Sequence, residues 1–345
     1  MFKKIRPLIF KFSPEVAHSL AIKALKSNLI PSNKIEEKSI LKIKLFGKNI
    51  KNPIGVAAGF DKNAEVYNPL FNLGFGFVEV GTITPEAQYG NPKPRVFRLE
   101  EDNALINRLG FNNSGSDEIS SRVKTDLPNG LLGINIGPNK DTSNRVEDYL
   151  KCFRKFYNLG DYITINISSP NTENLRDFHN LDELGNLLDK IFSEKKKLNS
   201  DIPIALKVSP DIDNTIVKDI SKILIQYKVN ALIVSNTTDQ NRDNLKDHQK
   251  FQKGGLSGKP LNDISNKLIN DFFKNLNGQI KIIGVGGVES GETAYKKFLS
   301  GANFVQLYTG MVFRGPKIAI KINEELKKIL KEKKIKNYSD IIGKL

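Results

Sequence analysis

From residue 50 onward the chain alternates short apolar runs with longer amphipathic segments. Eight runs rich in Val, Ile and Phe carry the pattern, at 53–58, 77–81, 131–136, 162–167, 202–208, 231–234, 280–285 and 304–308. Runs of that length without polar alternation mark strands covered on both faces, as in a parallel sheet, and the helical segments between them supply the crossovers. Eight such units predict an α/β fold, a closed (β/α)8 TIM barrel, which occupies about 250 residues before insertions. A doubly wound open sheet is the rival architecture. Intervals at 82–130 and 238–279 leave room for insertions.

Residues 1–30 follow a different rhythm. Phe2, Ile5, Ile9 and Phe12 recur at helical spacing, and Ala17, Leu20, Ala21 and Ala24 mark a second apolar stripe. Between them Ser13-Pro14 supplies an N-cap and first-turn pair. The polar side carries Lys3, Lys4, Arg6, Lys11, Lys23 and Lys26 against one acid, Glu15. This predicts a short N-terminal helical extension, residues 1–40, ahead of a barrel domain at 41–345. Two uses of the hairpin stand open: a helix pair packed on the barrel, or a basic amphipathic surface laid on an anionic bilayer. A secretory signal would need a longer unbroken apolar stretch and a small-residue cleavage site, and neither is present.

Composition narrows the chemistry. The single cysteine, Cys152, excludes a disulfide framework, an iron–sulfur cluster and a cysteine-rich zinc site within the chain. His18, His179 and His248 lie far apart in the sequence, so no metal site is expected. No run reaches the ~18 apolar residues of a membrane-spanning helix. Fifty-three Lys+Arg against 38 Asp+Glu leave a net charge of +15, which suits nucleic acid, an anionic membrane or an anionic ligand. The lysines scatter over the whole chain, however, and no nucleic-acid motif or patch of interleaved aromatics accompanies them. Nucleic acid is therefore not an expected partner.

Polar residues cluster where each run ends. The runs finish in Gly59-Phe60-Asp61-Lys62, Gly81-Thr82, Asn135-Ile136-Gly137, Asn166-Ile167-Ser168-Ser169-Pro170-Asn171, Lys207-Val208-Ser209-Pro210, Ser235-Asn236-Thr237-Thr238, Gly284-Val285-Gly286-Gly287 and Tyr308-Thr309-Gly310. In a barrel these ends share one rim, where such enzymes place their chemistry. Glycine N–H groups after the seventh strand, beside a helix N-terminus, favour a phosphate, whereas their plain reading is a tight turn. Lys207 ends a buried strand and needs a counter-charge: a rim carboxylate such as Asp211, or an anionic cofactor or intermediate. Asn107, Asn166, Asn171 and Asn236 each offer a donor and an acceptor, which suits a flat ring carrying N–H and C=O groups.

Taken in order, these motifs resemble the dihydroorotate dehydrogenase family, specifically its membrane-associated, quinone-reducing class 2. The matching stretches include Ala57 to Lys62, Gly81-Thr82-Ile83-Thr84-Pro85, Pro94-Arg95-Val96-Phe97-Arg98, Ile106 to Asn113, Gly133 to Gly137, Asn166 to Asn171, Gly254 to Gly258 and Gly284 to Gly287. The resemblance implies oxidation of dihydroorotate to orotate with FMN, in de novo pyrimidine synthesis. It implies that Ala58, Gly59, Thr82, Asn135, Asn166, Lys207, Ser235, Gly258, Gly287, Tyr308 and Thr309 hold FMN. Lys62, Asn107, Arg108, Leu109, Gly110, Phe111, Asn166, Asn171, Asn236 and Thr237 would hold the substrate. Ser169 falls at the family's catalytic base, where class 1 enzymes carry cysteine, and Lys207 would stabilise negative charge on the reduced flavin. His18 and Arg98 match positions lining the quinone passage through the N-terminal helices. That likeness favours the bilayer reading of the hairpin, as a peripheral protein on the cytoplasmic face of the cell membrane.

Two departures stand out. Glu173-Asn174 replaces the Pro-Gly usual in the loop bearing the base, and Ser235 replaces a usual threonine while keeping the hydroxyl. Asn tolerates the left-handed conformation that glycine would adopt there. The polar stretch 239–253 reads as a flexible lid. The rival functions are a flavin-free isomerase acting on a sugar phosphate or nucleotide, and a basic nucleic-acid binder.

Overall fold

The structure, a computed structural model, describes residues 2–27 and 40–345. Eight parallel strands close into a barrel: Ile54–Val56, Phe77–Ile83, Leu131–Ile136, Tyr162–Asn166, Ile204–Val208, Ala231–Val234, Lys281–Val285 and Phe304–Leu307. Each pairs with the next in the chain, and the last pairs with the first through Val305–Ile54 and Leu307–Val56. Helices fill the intervals between strands, as the pattern predicts, and closure excludes the open sheet.

The apolar runs hide a parity. Successive strand residues face opposite sides. Val78, Val80, Val305 and Leu307 belong to the core shared with the surrounding helices, whereas Phe77, Leu131, Tyr162, Ala205, Ile233 and Phe304 pack together inside the barrel. Counting by twos from those inward residues reaches Glu79, Asn135, Thr164, Asn166, Lys207, Ser235 and Gln306. These polar residues thus point into the barrel, and Thr82 follows them after the register shift between Val80 and Ile83. A hairpin of strands Ile43–Leu45 and Lys48–Ile50 plugs the N-terminal end with Leu45 and Ile50. Each such apolar side chain contributes about 1.5–3 kcal/mol when fully buried. The barrel is therefore apolar at its base and polar toward its C-terminal mouth.

The two insertions meet each other. Val96–Leu99 and Ala104–Asn107 come from the first interval, and Gly255–Gly258 from the second; they form one three-stranded antiparallel sheet. The sheet walls one side of the C-terminal mouth.

Two helices, Phe2–Ile9 and Pro14–Lys26, make the expected hairpin, with the Ser13 hydroxyl accepting from the Val16 N–H. Of the extension expected over 1–40, residue 1 and residues 28–39 lie outside the described residues. The hairpin docks on the barrel domain through Glu15, which pairs with Arg95 at 3.0 Å, and through ion pairing of Lys26 with Glu65. Arg98 also donates to the Phe12 carbonyl. The docking leaves Ile5, Leu8, Phe12, Val16 and Leu20 exposed. No helix among the described residues is long and apolar enough to cross a membrane, and no cluster of three or more His, Cys, Asp or Glu there could hold a metal ion.

Candidate active site

One cavity opens at the C-terminal mouth, and the strand ends converge on it. Ala58, Gly59, Thr82, Asn166, Lys207, Ser235, Gly258, Gly287, Tyr308 and Thr309 line it, as do Lys62, Asn107, Leu109, Gly110, Phe111, Ser169, Asn171, Asn236 and Thr237. Two expected residues do not. Asn135 is fully buried one layer beneath, where it bonds to other side chains. Arg108 points outward: it donates to the Gln252 side chain at 3.0 Å and to the Pro94 carbonyl at 2.9 Å, and it stacks on Phe97. It holds the insertions together, because its fork reaches carbonyls on both of them and not the cavity.

Beneath the cavity lies a directed hydrogen-bond network. Glu79, fully buried, accepts from Asn135 Nδ2 at 2.8 Å, Tyr162 OH at 2.8 Å and Gln306 Nε2 at 3.0 Å. With Asn135 Nδ2 committed downward, its Oδ1 faces up and accepts from Thr82 Oγ1 at 2.6 Å. Thr82 Oγ1 in turn accepts from Asn166 Nδ2 at 2.9 Å, and Asn166 Oδ1 accepts from Ser168 Oγ at 2.8 Å. Ser168 Oγ accepts from Asn236 Nδ2 at 2.9 Å. An acceptor-only carboxylate at the base therefore sets the sense of every amide above it.

Lys207 is buried within this floor and makes no hydrogen bond or ion pair with the described residues; Glu79 is the carboxylate that acts on it, and burial pushes its ammonium down from the ordinary value. Asp211 does not serve it, because Asp211 pairs with Arg176 at 3.0 Å. Lys62 donates to the Gly59 carbonyl at 2.8 Å, and its ammonium is pushed down to about 8, first by burial and then by Arg95, against the pull of Glu15 and Asp61. Ser169 Oγ accepts from the Asn171 N–H at 3.2 Å, and no titratable side chain bonds to it among the described residues. Asn171 also donates to Asn107 Oδ1 at 3.2 Å, tying the Ser169 loop to the antiparallel sheet.

A second, apolar cavity of about 440 Å³ lies between the N-terminal helices and the barrel, lined by Phe2, Ile5, Ile9, Ala17, Leu25 and Met311 among others. Its polar groups include His18 and Arg98. His18 packs edge-on against Phe60 at 5.3 Å, and burial, then Lys62, push its imidazole down to about 3, so it is neutral at physiological pH. Arg98 sits 4.5 Å over the Phe10 ring, and its Nη1 is buried with no partner. Val96, Leu105 and Tyr308 line both cavities. A group in the polar cavity is thus separated from the apolar one by side chains alone.

The dihydroorotate dehydrogenase family model matches residues 40–330. The chain belongs to that family. It is 44% identical over 339 residues to dihydroorotate dehydrogenase (quinone) of Bartonella tribocorum, covering 97% of this chain and 94% of the relative. The enzyme of the same name from Rhizobium johnstonii is 43% identical over 346 residues, covering 99% and 95%. Crystal structures of DHODH from Eimeria tenella, one in complex with ferulenol and one ligand-free, superpose with TM-scores of 0.93 and 0.92 at 38% identity. Each covers 96% of this chain, and the matches take in 95% and 99% of the respective neighbour. The chain is an oxidoreductase.

Against the dihydroorotate dehydrogenase pattern, the Glu173-Asn174 departure is absorbed locally. Asn174 takes φ of 53°, the left-handed region that glycine would occupy, and Arg145 holds the turn by donating to the carbonyls of both residues. Ser235 keeps a buried hydroxyl that donates to the Asn236 carbonyl at 3.1 Å. The stretch 239–253, expected as a lid, is tethered. Asp102 accepts from the N–H groups of Lys246 and Asp247, Asp247 accepts from Glu100 N–H, and Arg242 donates to the carbonyls of Lys250, Gln252 and Gly254. Glu79 was not among the residues expected from the sequence. Its signal is a carboxylate in mid-strand, inside a run covered on both faces, where an ion needs a dedicated set of donors.

Proposed function

We propose that this chain oxidises dihydroorotate to orotate in de novo pyrimidine synthesis, with FMN in the polar cavity and a membrane quinone entering the apolar one. The shared wall of Val96, Leu105 and Tyr308 carries this reading, since it sets a redox group and its acceptor on opposite sides of a few side chains. The residues fit FMN. Lys207 is a buried cation without a hydrogen-bond partner, as an anionic reduced ring requires. Gly286 and Gly287, with φ of 116° and 73°, leave their N–H groups unbonded among the described residues, as a phosphate requires.

Ala58, Gly59, Thr82, Asn166, Lys207 and Ser235 would surround the ring system, with Asn135 acting through Thr82. Gly258, Gly287, Tyr308 and Thr309 would take the ribityl phosphate. Bound there, FMN would supply a hydride acceptor for C6 of dihydroorotate and an electron donor for quinone. Ser169 takes the proton from C5 and passes it to water, since no side-chain base bonds to it. Lys62 pairs with the substrate carboxylate, and Asn107, Asn166, Asn171, Asn236 and Thr237 read the edges of the pyrimidine ring. Lys207 would hold its positive charge where negative charge develops on the bound ring.

Residues up to 40 act as a docking extension and 41–345 as the catalytic barrel. The exposed Ile5, Leu8, Phe12, Val16 and Leu20, beside Lys3, Lys4, Lys11 and Lys23, support docking on an anionic bilayer at the cytoplasmic face of the cell membrane. Arg98 Nη1 is a free donor in an apolar cavity, suited to a quinone carbonyl. A steady-state comparison of acceptors tests the reading: with dihydroorotate as donor, quinone should support turnover, and fumarate and NAD should not. Turnover with NAD alone would overturn it.

A further inference from the structure

Lys297 is fully buried on the helix Gly291–Leu299, behind the turn that follows the seventh barrel strand. It makes no ion pair with the described residues. Its Nζ donates to Ser265 Oγ at 3.1 Å and to Asn266 Oδ1 at 3.0 Å, both on the helix Asn262–Leu276. Burial pushes its ammonium down to about 7, with Asp263 the carboxylate that opposes this. Space for its stem comes from Gly284, where a Cβ would lie 3.0 Å from Lys297 Cδ. The first glycine of the Gly284-Val285-Gly286-Gly287 motif therefore makes room for the packed side chains of Ile269, Ala302 and Lys297 and does not line the cavity.

Both partners of Lys297 lead to the glycine turn. Ser265 Oγ, accepting from the lysine, donates to the Val285 carbonyl at 2.5 Å. Asn266, with Oδ1 held by the lysine, turns Nδ2 toward Asn262 Oδ1 at 3.1 Å, and Asn262 Nδ2 donates to the Gly287 carbonyl at 3.3 Å. In its protonated form Lys297 is donor-only and thus fixes the sense of two chains that end on the carbonyls either side of Gly286. A trans peptide points its N–H away from its carbonyl. With those carbonyls drawn into the wall, the N–H groups of Gly286 and Val288 face the other way, and neither has a partner among the described residues. Two of the following helix's first amides are already used: Gly291 N–H is taken by Glu325 at 2.6 Å, and Thr293 N–H by Ser290 Oγ at 3.2 Å. The lysines lining the cavity are Lys62 and Lys207, which belong to strand ends remote in sequence from this turn.

We propose that Lys297 is a positioning residue for the phosphate of the flavin cofactor, holding the Gly286–Gly287 turn through Ser265 and Asn266–Asn262 and supplying the buried positive charge behind it. This rests on the FMN reading and deepens it, assigning the phosphate end a cation that never touches the ligand. Its signature is specific to the phosphate, so riboflavin, which has the ring and ribityl chain but no phosphate, is the discriminating probe.

Stripped enzyme is titrated with FMN and with riboflavin, following quenching of flavin fluorescence. Lys297→Met should weaken FMN binding about tenfold and leave riboflavin binding within about twofold, since it removes both the donor that orients the two chains and the charge behind the turn, and indirect couplings of this kind are typically about 5–150-fold. Asn266→Ala, at a half-buried position, cuts one arm while keeping the lysine, and should lower the FMN-over-riboflavin preference by a smaller factor even if Lys297→Met does not fold. Equal losses for both flavins, or an unchanged preference in Asn266→Ala and in any folded Lys297→Met protein, overturns the proposal while sparing the FMN reading. A wild-type chain that takes up neither flavin overturns both.

Discussion

Asn135 gives its side-chain amide to Glu79 at 2.8 Å, one layer below the cavity, and this bond orients the chain of amides and hydroxyls from Thr82 to Asn236. Glu79 is also the carboxylate acting on Lys207. Removing it takes the one acting carboxylate from Lys207 and leaves the buried donors of Asn135, Tyr162 and Gln306 without their acceptor, at about 1–3 kcal/mol each. Glu79→Ala should lower the denaturant midpoint accordingly and weaken flavin binding. A midpoint within error of wild type contradicts a structural ion at this place.

Ser169→Ala should retain bound flavin, because the hydroxyl's one hydrogen bond here is from its own loop, to Asn171 N–H. Reduction of that flavin by dihydroorotate should slow by about 10²–10⁴-fold, the usual contribution of a general base. Stopped-flow absorbance measures it, and a wild-type rate removes Ser169 from the chemistry.

Burial holds the Lys62 ammonium down to about 8, and in the proposed reading its charged form pairs with the substrate carboxylate. Substrate affinity should therefore be complete below that pH and fall as pH rises through it, by about tenfold per unit well above it. The pH profile of KM for dihydroorotate reads this directly. Lys62→Met should raise KM and flatten the profile; a wild-type KM that is level through this range contradicts the pairing.

Leu8 and Phe12 are 62% and 47% exposed and lie beside Lys4 and Lys11. The double variant Leu8→Glu, Phe12→Glu should lose binding to anionic vesicles in a sedimentation assay while dihydroorotate still reduces its flavin at the wild-type rate. Vesicle binding equal to wild type places the membrane contact elsewhere.

The barrel was legible because all eight strands are covered on both faces and so appear as apolar runs. Most of the cavity's lining was legible in the polar strand ends. Three features did not. Arg108 lies inside a matching motif, but its long side chain turns outward to carbonyls of Pro94 and Lys253, a direction no spacing encodes. The sheet over the mouth joins strands about 150 residues apart, through pairs such as Asn107 with Gly255. The Glu79 network depends on which layer of the barrel each polar residue reaches, and that follows only from the register between neighbouring strands.

An anaerobic titration of the purified enzyme examines the electron path most directly. Dihydroorotate should bleach the absorption band of bound FMN, and a short-chain quinone added next should restore it, whereas NAD and fumarate should not. A colourless protein, or a reduced flavin that quinone leaves bleached and NAD reoxidises, contradicts an electron path across Val96, Leu105 and Tyr308.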